Sequence, residues 1–313
     1  MHKKRVASHS LVTIAILTIS CLLTATVHAQ QPLVIGAVSG KPDKHIKFSQ
    51  PLANYLTERV YPSGGTIGKV KIAASLDELI AWFNTGQIDV TTETVFAALK
   101  IQQQADAEIV ARRWKKGVAQ YQSIFITHNE SGIRTLDDLK GRKLLFEDKS
   151  STSGFFLPAS ILIKRGMRLQ FLQNFQQAVK EDHIGVLFAS GQLNTSSELN
   201  MTAWVYQKRV DAGAFSSLDW ANPKHAPPAM KKMLHYFAES QPFPRSLMLV
   251  RSTLPEEIKT RIQSALFEAD QSDKGKNALR TYQKTKKFDA LDQVTLTAID
   301  EARELLKIVE THL

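Results

Sequence analysis

Short apolar runs alternate with amphipathic stretches along the N-terminal third of the chain. Runs at 33–38, 70–74 and 88–90 have the length and composition of buried strands. The stretch between the first two runs carries Leu52 and Leu56 on one helical face. Because strands that alternate with helices form mainly parallel sheets covered on both faces, the pattern predicts an α/β fold.

The alternation restarts twice, near Tyr121–Thr127 and near Phe243–Leu249, as expected for a chain that crosses between two lobes. We predict a first lobe formed by residues 30–124 and 245–313, and a second lobe formed by residues 125–244. Open α/β sheets bind ligands outside the ends of their strands, so the loops at the strand ends should carry the ligand contacts. Closure of the lobes on a ligand should make the molecule more compact.

An apolar run over 144–146 leads into a turn rich in hydroxyl groups, formed by Ser151, Thr152 and Ser153. Gly154 and an apolar stretch follow, which is the pattern of a strand, a loop and a helix N-terminus. The free amides of such a terminus and the helix dipole favour an anion, and the hydroxyls add further donors. The alternative is an ordinary capped turn without a ligand.

The N-terminal segment has the three parts of a secretory signal peptide. Basic residues at 3–5 precede an apolar stretch over 11–27, and small residues at Val27 and Ala29 complete the pattern. We predict cleavage after Ala29 and a periplasmic protein; the alternative is an uncleaved membrane anchor, for which the apolar stretch is marginally long. Cys21 is the only cysteine and lies inside this segment, so the mature chain offers no thiol for catalysis or metal binding.

Charge and motifs exclude several classes of function. The formal net charge is +10, and cleavage would remove three basic residues and no acidic one, which leaves +7. No arginine-rich run or tandem finger spacing accompanies this charge, so we predict no nucleic-acid partner. The chain has no nucleophile elbow, no paired-histidine zinc motif and no phosphate-binding Walker loop, so we predict no catalytic residues, no metal and no cofactor.

An ordered set of stretches is spread over nearly all of the mature chain: Gln50–Leu56, Gly86–Val90, Trp114–Tyr121, Thr135–Gly141, Phe146–Asp148, Ser151–Gly154, Val210–Ala214 and Lys287–Asp289. These stretches resemble the phosphate/phosphite/phosphonate-binding proteins of ABC importers, and they occur in the family's order.

The resemblance implies a bilobal periplasmic-binding-protein fold of type II, with two mixed sheets flanked by helices and a cleft between the lobes. The predicted oxyanion ligands are Ser151, Thr152, Ser153 and Gly154, which would use hydroxyls and backbone amides. Tyr121 would line the cleft near the crossover; the alternative is a core position with a satisfied hydroxyl. Asp211 would face a protonated oxygen or an amine of the ligand, or it could simply cap a turn at a strand end.

Two places depart from the family pattern. Glu93 and Thr94 stand where many relatives have an aromatic or Asp-Ser-Pro-like element. We include both among the predicted ligand contacts, with Glu93 accepting from a ligand hydroxyl or amine; the alternative for Glu93 is a solvated helix start. The stretch 190–198 is longer and more polar than expected and should approach the cleft.

The resemblance favours a monomeric solute receptor that binds a small phosphorus oxyanion and delivers it to an ABC permease in the inner membrane. Such a receptor binds its ligand without converting it. One alternative is a periplasmic sensor of the same fold that signals to a membrane partner, and another is a receptor for a different small organic anion. A secreted enzyme acting on phosphate esters is the least favoured interpretation, because neither a metal cluster nor an activated nucleophile is evident.

Overall fold

Two six-stranded sheets organise the part of the chain that the computed structural model describes, residues 32–62, 66–192 and 198–312. The strands are β1 (Val34–Val38), β2 (Lys69–Ala73), β3 (Val90–Glu93), β4 (Ala107–Arg113), β5 (Gln120–Tyr121), β6 (Ser123–His128), β7 (Lys143–Phe146), β8 (Arg168–Phe171), β9 (His183–Phe188), β10 (Ala212–Ser216), β11 (Leu234–Glu239), β12 (Phe243–Pro244), β13 (Leu247–Arg251) and β14 (Phe288–Asp289). The predicted signal segment with Ala29, and most of the 190–198 loop, lie outside the described residues.

Helices cover both sheets. They are α1 (Pro42–Val60), α2 (Leu76–Asn84), α3 (Val95–Gln104), α4 (Leu157–Lys164), α5 (Ala189–Gln192), α6 (Glu198–Tyr206), α7 (Ser217–Ala221), α8 (Pro228–Lys231), α9 (Glu256–Glu268), α10 (Asp273–Thr281) and α11 (Gln293–His312). A 3₁₀ turn spans Leu136–Leu139, and a π-helical turn spans Thr152–Phe156. Among the described residues, no helix combines the length and the apolar character needed to span a bilayer.

Both sheets are mixed, as predicted. The first has the strand order β14-β4-β13-β3-β1-β2, in which β1 pairs in parallel with β2 and β3 while β13 runs antiparallel to β3 and β4. The second has the order β11-β6-β10-β7-β9-β8, with β7 parallel to β9 and β10 and with β6 antiparallel to its two neighbours. We refer to each sheet with the helices packed on it as lobe 1 and lobe 2.

The chain passes between the sheets through two short strands that pair with each other. The strands of lobe 1 fall within 34–113 and 247–289, and those of lobe 2 within 123–239. Between them, β5 and β12 form a two-stranded antiparallel ribbon in which Tyr121 lies opposite Phe243. The residue boundaries of the lobes and their closure on a ligand remain predictions.

The C-terminal helix α11 packs on both α3 and α4, which places one apolar cluster across the two lobes. In this interlobe cluster, Phe156 and Leu157 at the start of α4 are buried together with Ile299 and Leu306 of α11. The ring of Phe96 at the start of α3 stacks on Phe156 with centroids 4.8 Å apart. The segment that follows the hydroxyl-rich turn is therefore held by apolar contacts from lobe 1.

Candidate ligand-binding cleft

A cavity of about 570 Å³ lies where the carboxyl ends of four strands converge from the two lobes. Val38 and Glu93 end β1 and β3 of lobe 1, while Glu147 directly follows β7 and Ser216 ends β10 of lobe 2. Open α/β sheets bind ligands at this edge, because the loops that follow the strands bring polar groups together there. The cavity is therefore the candidate binding cleft.

The hydroxyl turn, formed by Ser151, Thr152 and Ser153, borders this cleft from lobe 2. The Ser151 hydroxyl accepts a hydrogen bond from the amide of Gly154 at 2.9 Å and donates to Oε2 of Glu147 at 2.6 Å. The amide of Phe156 donates to the Ser151 carbonyl at 3.0 Å, which closes the π-helical turn. The amides of Thr152 and Ser153 stand at the start of this turn, where no intrahelical acceptor is available to them.

The hydroxyl of Thr152 joins the two lobes. It donates to Oγ1 of Thr94 at 2.9 Å and accepts from the amide of Phe96 at 3.1 Å. Phe96 belongs to the first turn of α3, so a side chain of lobe 2 satisfies one of the amides left free at the start of a lobe 1 helix. Thr152 is almost completely buried, with 2% of its surface exposed.

We expect Thr152→Val to lower the free energy of unfolding of the ligand-free protein by about 1–2 kcal/mol, because the Phe96 amide loses its acceptor. Urea unfolding without ligand measures this effect. Thr152→Ser keeps the hydroxyl and serves as the matched control. If the valine and serine variants unfold at the same urea concentration as the wild-type protein, the interlobe hydrogen bonds do not contribute to stability.

Tyr121 and Arg245 come from the two ends of the crossing ribbon and meet in the cleft. The guanidinium carbon of Arg245 lies 4.7 Å from the centroid of the Tyr121 ring. Burial raises the pKa of Tyr121, while Arg245 and the hydroxyls of Ser153 and Thr152 act in the opposite direction. The phenol therefore stays neutral near pH 7 and has a proton to donate.

Carboxylates line much of the remaining surface of the cleft. They are Glu93, Glu147, Asp148, Glu198 and Asp219, whereas Arg245 is the one basic side chain among the described lining residues. A bare oxyanion would be repelled by such a surface, so the cleft also calls for a positive group or a bound proton.

Two of these carboxyls hold a proton more tightly than usual. Burial raises the pKa of Glu93 to about 7, although Lys115, the Thr94 amide and Arg113 favour the charged form. Burial also raises the pKa of Glu147 to about 7, and nearby acidic groups add to this effect although the Ser151 hydroxyl opposes it. Near neutral pH, each of these groups can donate or accept a hydrogen bond from a ligand.

The raised pKa values predict a pH-dependent stability. Between about pH 4.5 and 7 the folded protein keeps protons on Glu93 and Glu147 that the unfolded chain has released, so its free energy of unfolding falls as the pH rises. We expect each carboxyl to contribute on the order of 2 kcal/mol to this fall. Urea unfolding between pH 5 and 8 should show a smaller slope for Glu147→Gln and an unchanged slope for Glu181→Gln, an exposed control. Equal slopes for both variants and the wild-type protein would contradict this assignment.

Glu198 and Asp219 of the cleft lining lie close to His225, and the three together offer donor groups of the kind that a metal ion takes. One potential ligand atom from each lies within 4.8 Å of the others, and Nδ1 of His225 is 2.7 Å from Oδ1 of Asp219. One imidazole and two carboxylates suit several divalent metals, and the same oxygens suit an ammonium group. Glu198 and Asp219 thus place two carboxylates at this end of the cleft.

A family model for the periplasmic substrate-binding proteins of ABC phosphonate transporters matches residues 35–296. The chain belongs to this family. The resemblance recognised in the sequence is thereby confirmed, and members of this phosphonate-binding family are periplasmic components of ABC transporters.

Solved structures support the fold. XAC2383 from Xanthomonas citri, solved with chloride and with ATP, is 26% identical with a TM-score of 0.81; the match covers 90% of this chain and at least 98% of that one. A binding component of a Pseudomonas aeruginosa ABC phosphonate transporter is 21% identical with a TM-score of 0.58, covering 89% of this chain and 87% of that one. PhnD1 from Prochlorococcus marinus, in complex with methylphosphonate, is 17% identical with a TM-score of 0.57, covering 88% and 98%. The predicted type II periplasmic-binding fold is confirmed.

The structure brings most of the predicted contact residues of this family member together. The same cavity is lined by Ser151, Thr152, Ser153, Tyr121, Glu93 and Thr94. Gly154 lies behind the hydroxyl turn, where its amide bonds to Ser151 and its carbonyl accepts from the amide of Glu147. Their roles as ligand contacts remain predictions.

Asp211 is not brought to the cleft. It precedes β10, whereas the cleft lies beyond the other end of that strand, at Ser216. Its Oδ2 accepts a hydrogen bond from the amide of Lys143 at 2.8 Å, and its Oδ1 lies 3.5 Å from Arg142. Asp211 is a strand-end residue, as in the alternative interpretation, but it binds the amide of a neighbouring strand rather than capping a turn. We therefore assign it no ligand contact.

Sequence reasoning missed Glu147, Ser216, Asp219 and Arg245. A signal existed for Glu147, which directly follows the apolar run over 144–146. Ser216 ends β10 and Asp219 follows it, so both lie at the carboxyl end of a strand. Arg245 had no comparable signal: it sits between two short strands and reaches the cleft because the chain crosses between the lobes there.

Proposed function

We propose that the protein is the extracytoplasmic solute-binding protein of an ABC importer and binds a phosphorus oxyanion between its lobes without converting it. The observation that carries the proposal is the hydroxyl turn at the carboxyl edge of lobe 2, which lines the same cavity as Arg245 and Tyr121. The two amides at the start of the turn, the Ser153 hydroxyl, the neutral phenol and the guanidinium form one group of donors, whereas the Ser151 hydroxyl already donates to Glu147. Such charge-assisted bonds are strong in a cleft that excludes water.

We propose further that the ligand is a phosphonate that carries an amine. The oxyanion would occupy the donor group, and the amine would lie toward Glu147, Glu198 and Asp219, which lack a lysine or arginine partner among the described residues. The cavity of about 570 Å³ has room for more than an inorganic anion. The solved relatives add support. PhnD1 was solved with methylphosphonate and XAC2383 with ATP, and both of these ligands are phosphorus oxyanions.

A calorimetric panel tests both parts of this proposal. We expect 2-aminoethylphosphonate to bind more tightly than methylphosphonate, phosphate or phosphite, and sulfate to bind most weakly because it offers neither an amine nor a proton at neutral pH. ATP belongs in the panel as a large phosphorylated ligand. Binding of methylphosphonate and 2-aminoethylphosphonate with equal affinity would remove the amine from the proposal. Binding of sulfonates or carboxylates without any response to phosphorus compounds would overturn the oxyanion assignment.

Phosphorus NMR of the bound ligand tests the absence of turnover. We expect the ligand recovered after prolonged incubation to give an unchanged spectrum. Product that accumulates with purified protein and is lost in an Arg245 variant would show that the cleft is catalytic.

A further inference from the structure

Four lysines form a strongly basic patch on the surface of the protein. Lys116, Lys224, Lys284 and Lys286 are exposed and line a depression of about 720 Å³ together with Gly117 and Asn222. We call these four residues the lysine patch. No acidic residue lines the depression among the described residues.

The charges of the lysine patch are not neutralised by the protein. None of its four ammonium groups forms an ion pair with a residue in the described part of the chain. The neighbouring carboxylate of Asp289 is already held by Arg112 and Lys287. The patch therefore offers four water-exposed positive charges to a partner outside the molecule.

The positive field extends behind the patch. Burial lowers the pKa of Lys115, next to Lys116, to about 7, and Arg113 and Arg245 act in the same direction. Burial is the largest cause of this lowered pKa, and the repulsion by the neighbouring cations makes the smaller contribution. An anionic partner would relieve the repulsion.

The backbone holds part of the patch in an uncommon conformation. Lys116 and Lys284 have φ values of 54° and 55°, in the left-handed region that residues with a side chain rarely adopt. Such positions cost free energy and persist where the surrounding structure fixes them. The backbone conformation at Lys116 and Lys284 is therefore imposed by the surrounding structure and not by the preference of lysine.

The lysine patch includes residues of both lobes, and two of them are close in the chain to residues that line or interact with the cleft. Lys116 adjoins Lys115, which interacts electrostatically with the cleft residue Glu93. Lys224 follows α7, which carries the cleft residue Asp219. A surface that engages the whole patch therefore contacts both lobes.

We propose that the lysine patch contacts the anionic phospholipid headgroups of the membrane that holds the permease. Lysine is depleted from specific protein interfaces, where tyrosine, tryptophan and arginine predominate. None of these three residue types is among the described residues that line the depression. Clusters of flexible lysines are instead typical of contacts with anionic lipid surfaces, which act at short range and are screened by salt. The contact brings the cleft region to the bilayer and does not depend on the identity of the transported ligand.

Sedimentation with lipid vesicles tests the proposal on the exported protein. We expect binding to vesicles of 30% phosphatidylglycerol in phosphatidylcholine at low salt, no binding to pure phosphatidylcholine, and loss of binding at about 0.5 M salt. Replacement of all four patch lysines by glutamine should weaken vesicle binding at least about tenfold. A matched control replaces four exposed lysines that do not line the depression, Lys69, Lys164, Lys180 and Lys276, and should change binding less than twofold.

Both quadruple variants should keep the unfolding temperature and the ligand affinity of the wild-type protein. The vesicle experiment therefore tests the lysine patch independently of the proposed ligand. Failure of the wild-type protein to bind phosphatidylglycerol vesicles would overturn the proposal. Equal loss of binding in the patch and control variants would also overturn it, because net charge alone would then account for the attraction. If an acidic protein is the true partner, the vesicle assay gives the first of these two results.

Discussion

Gly154→Val should abolish ligand binding and lower the free energy of unfolding of the ligand-free protein by at least about 2–3 kcal/mol. A Cβ placed on Gly154 would lie 2.5 Å from Cβ of Glu147 and 2.9 Å from Oγ of Ser151, distances that real Cβ atoms do not show. The Cβ of Glu147 is close to the backbone and cannot move aside cheaply. The hydroxyl turn would therefore shift away from the cleft.

Urea unfolding and calorimetry on Gly154→Val measure the two effects separately. Gly40→Val is the control, because a Cβ at Gly40 meets no atom within 4 Å. Wild-type stability and affinity in the Gly154 variant would show that the turn can rearrange without cost. The damage expected here comes from the approach of Glu147, since Gly154 does not adopt a positive φ and does not itself line the cavity.

Arg245→Gln should weaken binding of the best phosphonate by about 2–4 kcal/mol, or roughly 30- to 1000-fold. Arg245 is the basic side chain of the described cleft lining, so its loss leaves the oxyanion among carboxylates with neutral donors only. Arg245→Lys should recover part of the affinity, because it restores the charge without the planar fork of the guanidinium. Calorimetry at fixed pH and salt gives these affinities.

Asp211→Asn is the informative control for Arg245. Its carboxylate is engaged by the Lys143 amide outside the cleft, so we expect an unchanged affinity. If Asp211→Asn abolishes ligand binding and Arg245→Gln does not, the structure-based assignment of these two residues is wrong.

The fate of Asp211 shows which part of the site could be read from the sequence. A strand with a carboxylate at each end, Asp211 before β10 and Asp219 after it, leaves two candidates for a ligand contact. The rule that ligands lie at the carboxyl ends of parallel strands selects Asp219, and the cleft contains it. The hydroxyl turn followed a predicted strand in the same way, which is why local pattern was sufficient to find it.

Contacts between distant segments were beyond such reasoning. Thr152 was predicted as a ligand contact from its neighbours in the chain, yet its hydroxyl bonds to Thr94 and Phe96, which are more than 50 residues away. The packing of the two lobes determines which residue at the start of a helix faces the other lobe. The hydrophobic periodicity of the sequence carries no information about that packing. The same holds for Arg245, whose position depends on where the crossing ribbon places it.

The packing of α11 against both lobes has a consequence for the rate at which ligand leaves. If the lobes separate to release it, the side chains of α11 must slide along α4 or lose contact with it, in addition to any bending of the crossing ribbon. Close-packed apolar surfaces move between discrete arrangements more readily than they deform continuously. Release should therefore be a gated step, and the packing around Leu157 and Leu306 should determine the dissociation rate of the ligand. Substitutions at these two residues should change the residence time of the ligand although neither residue is among its proposed contacts.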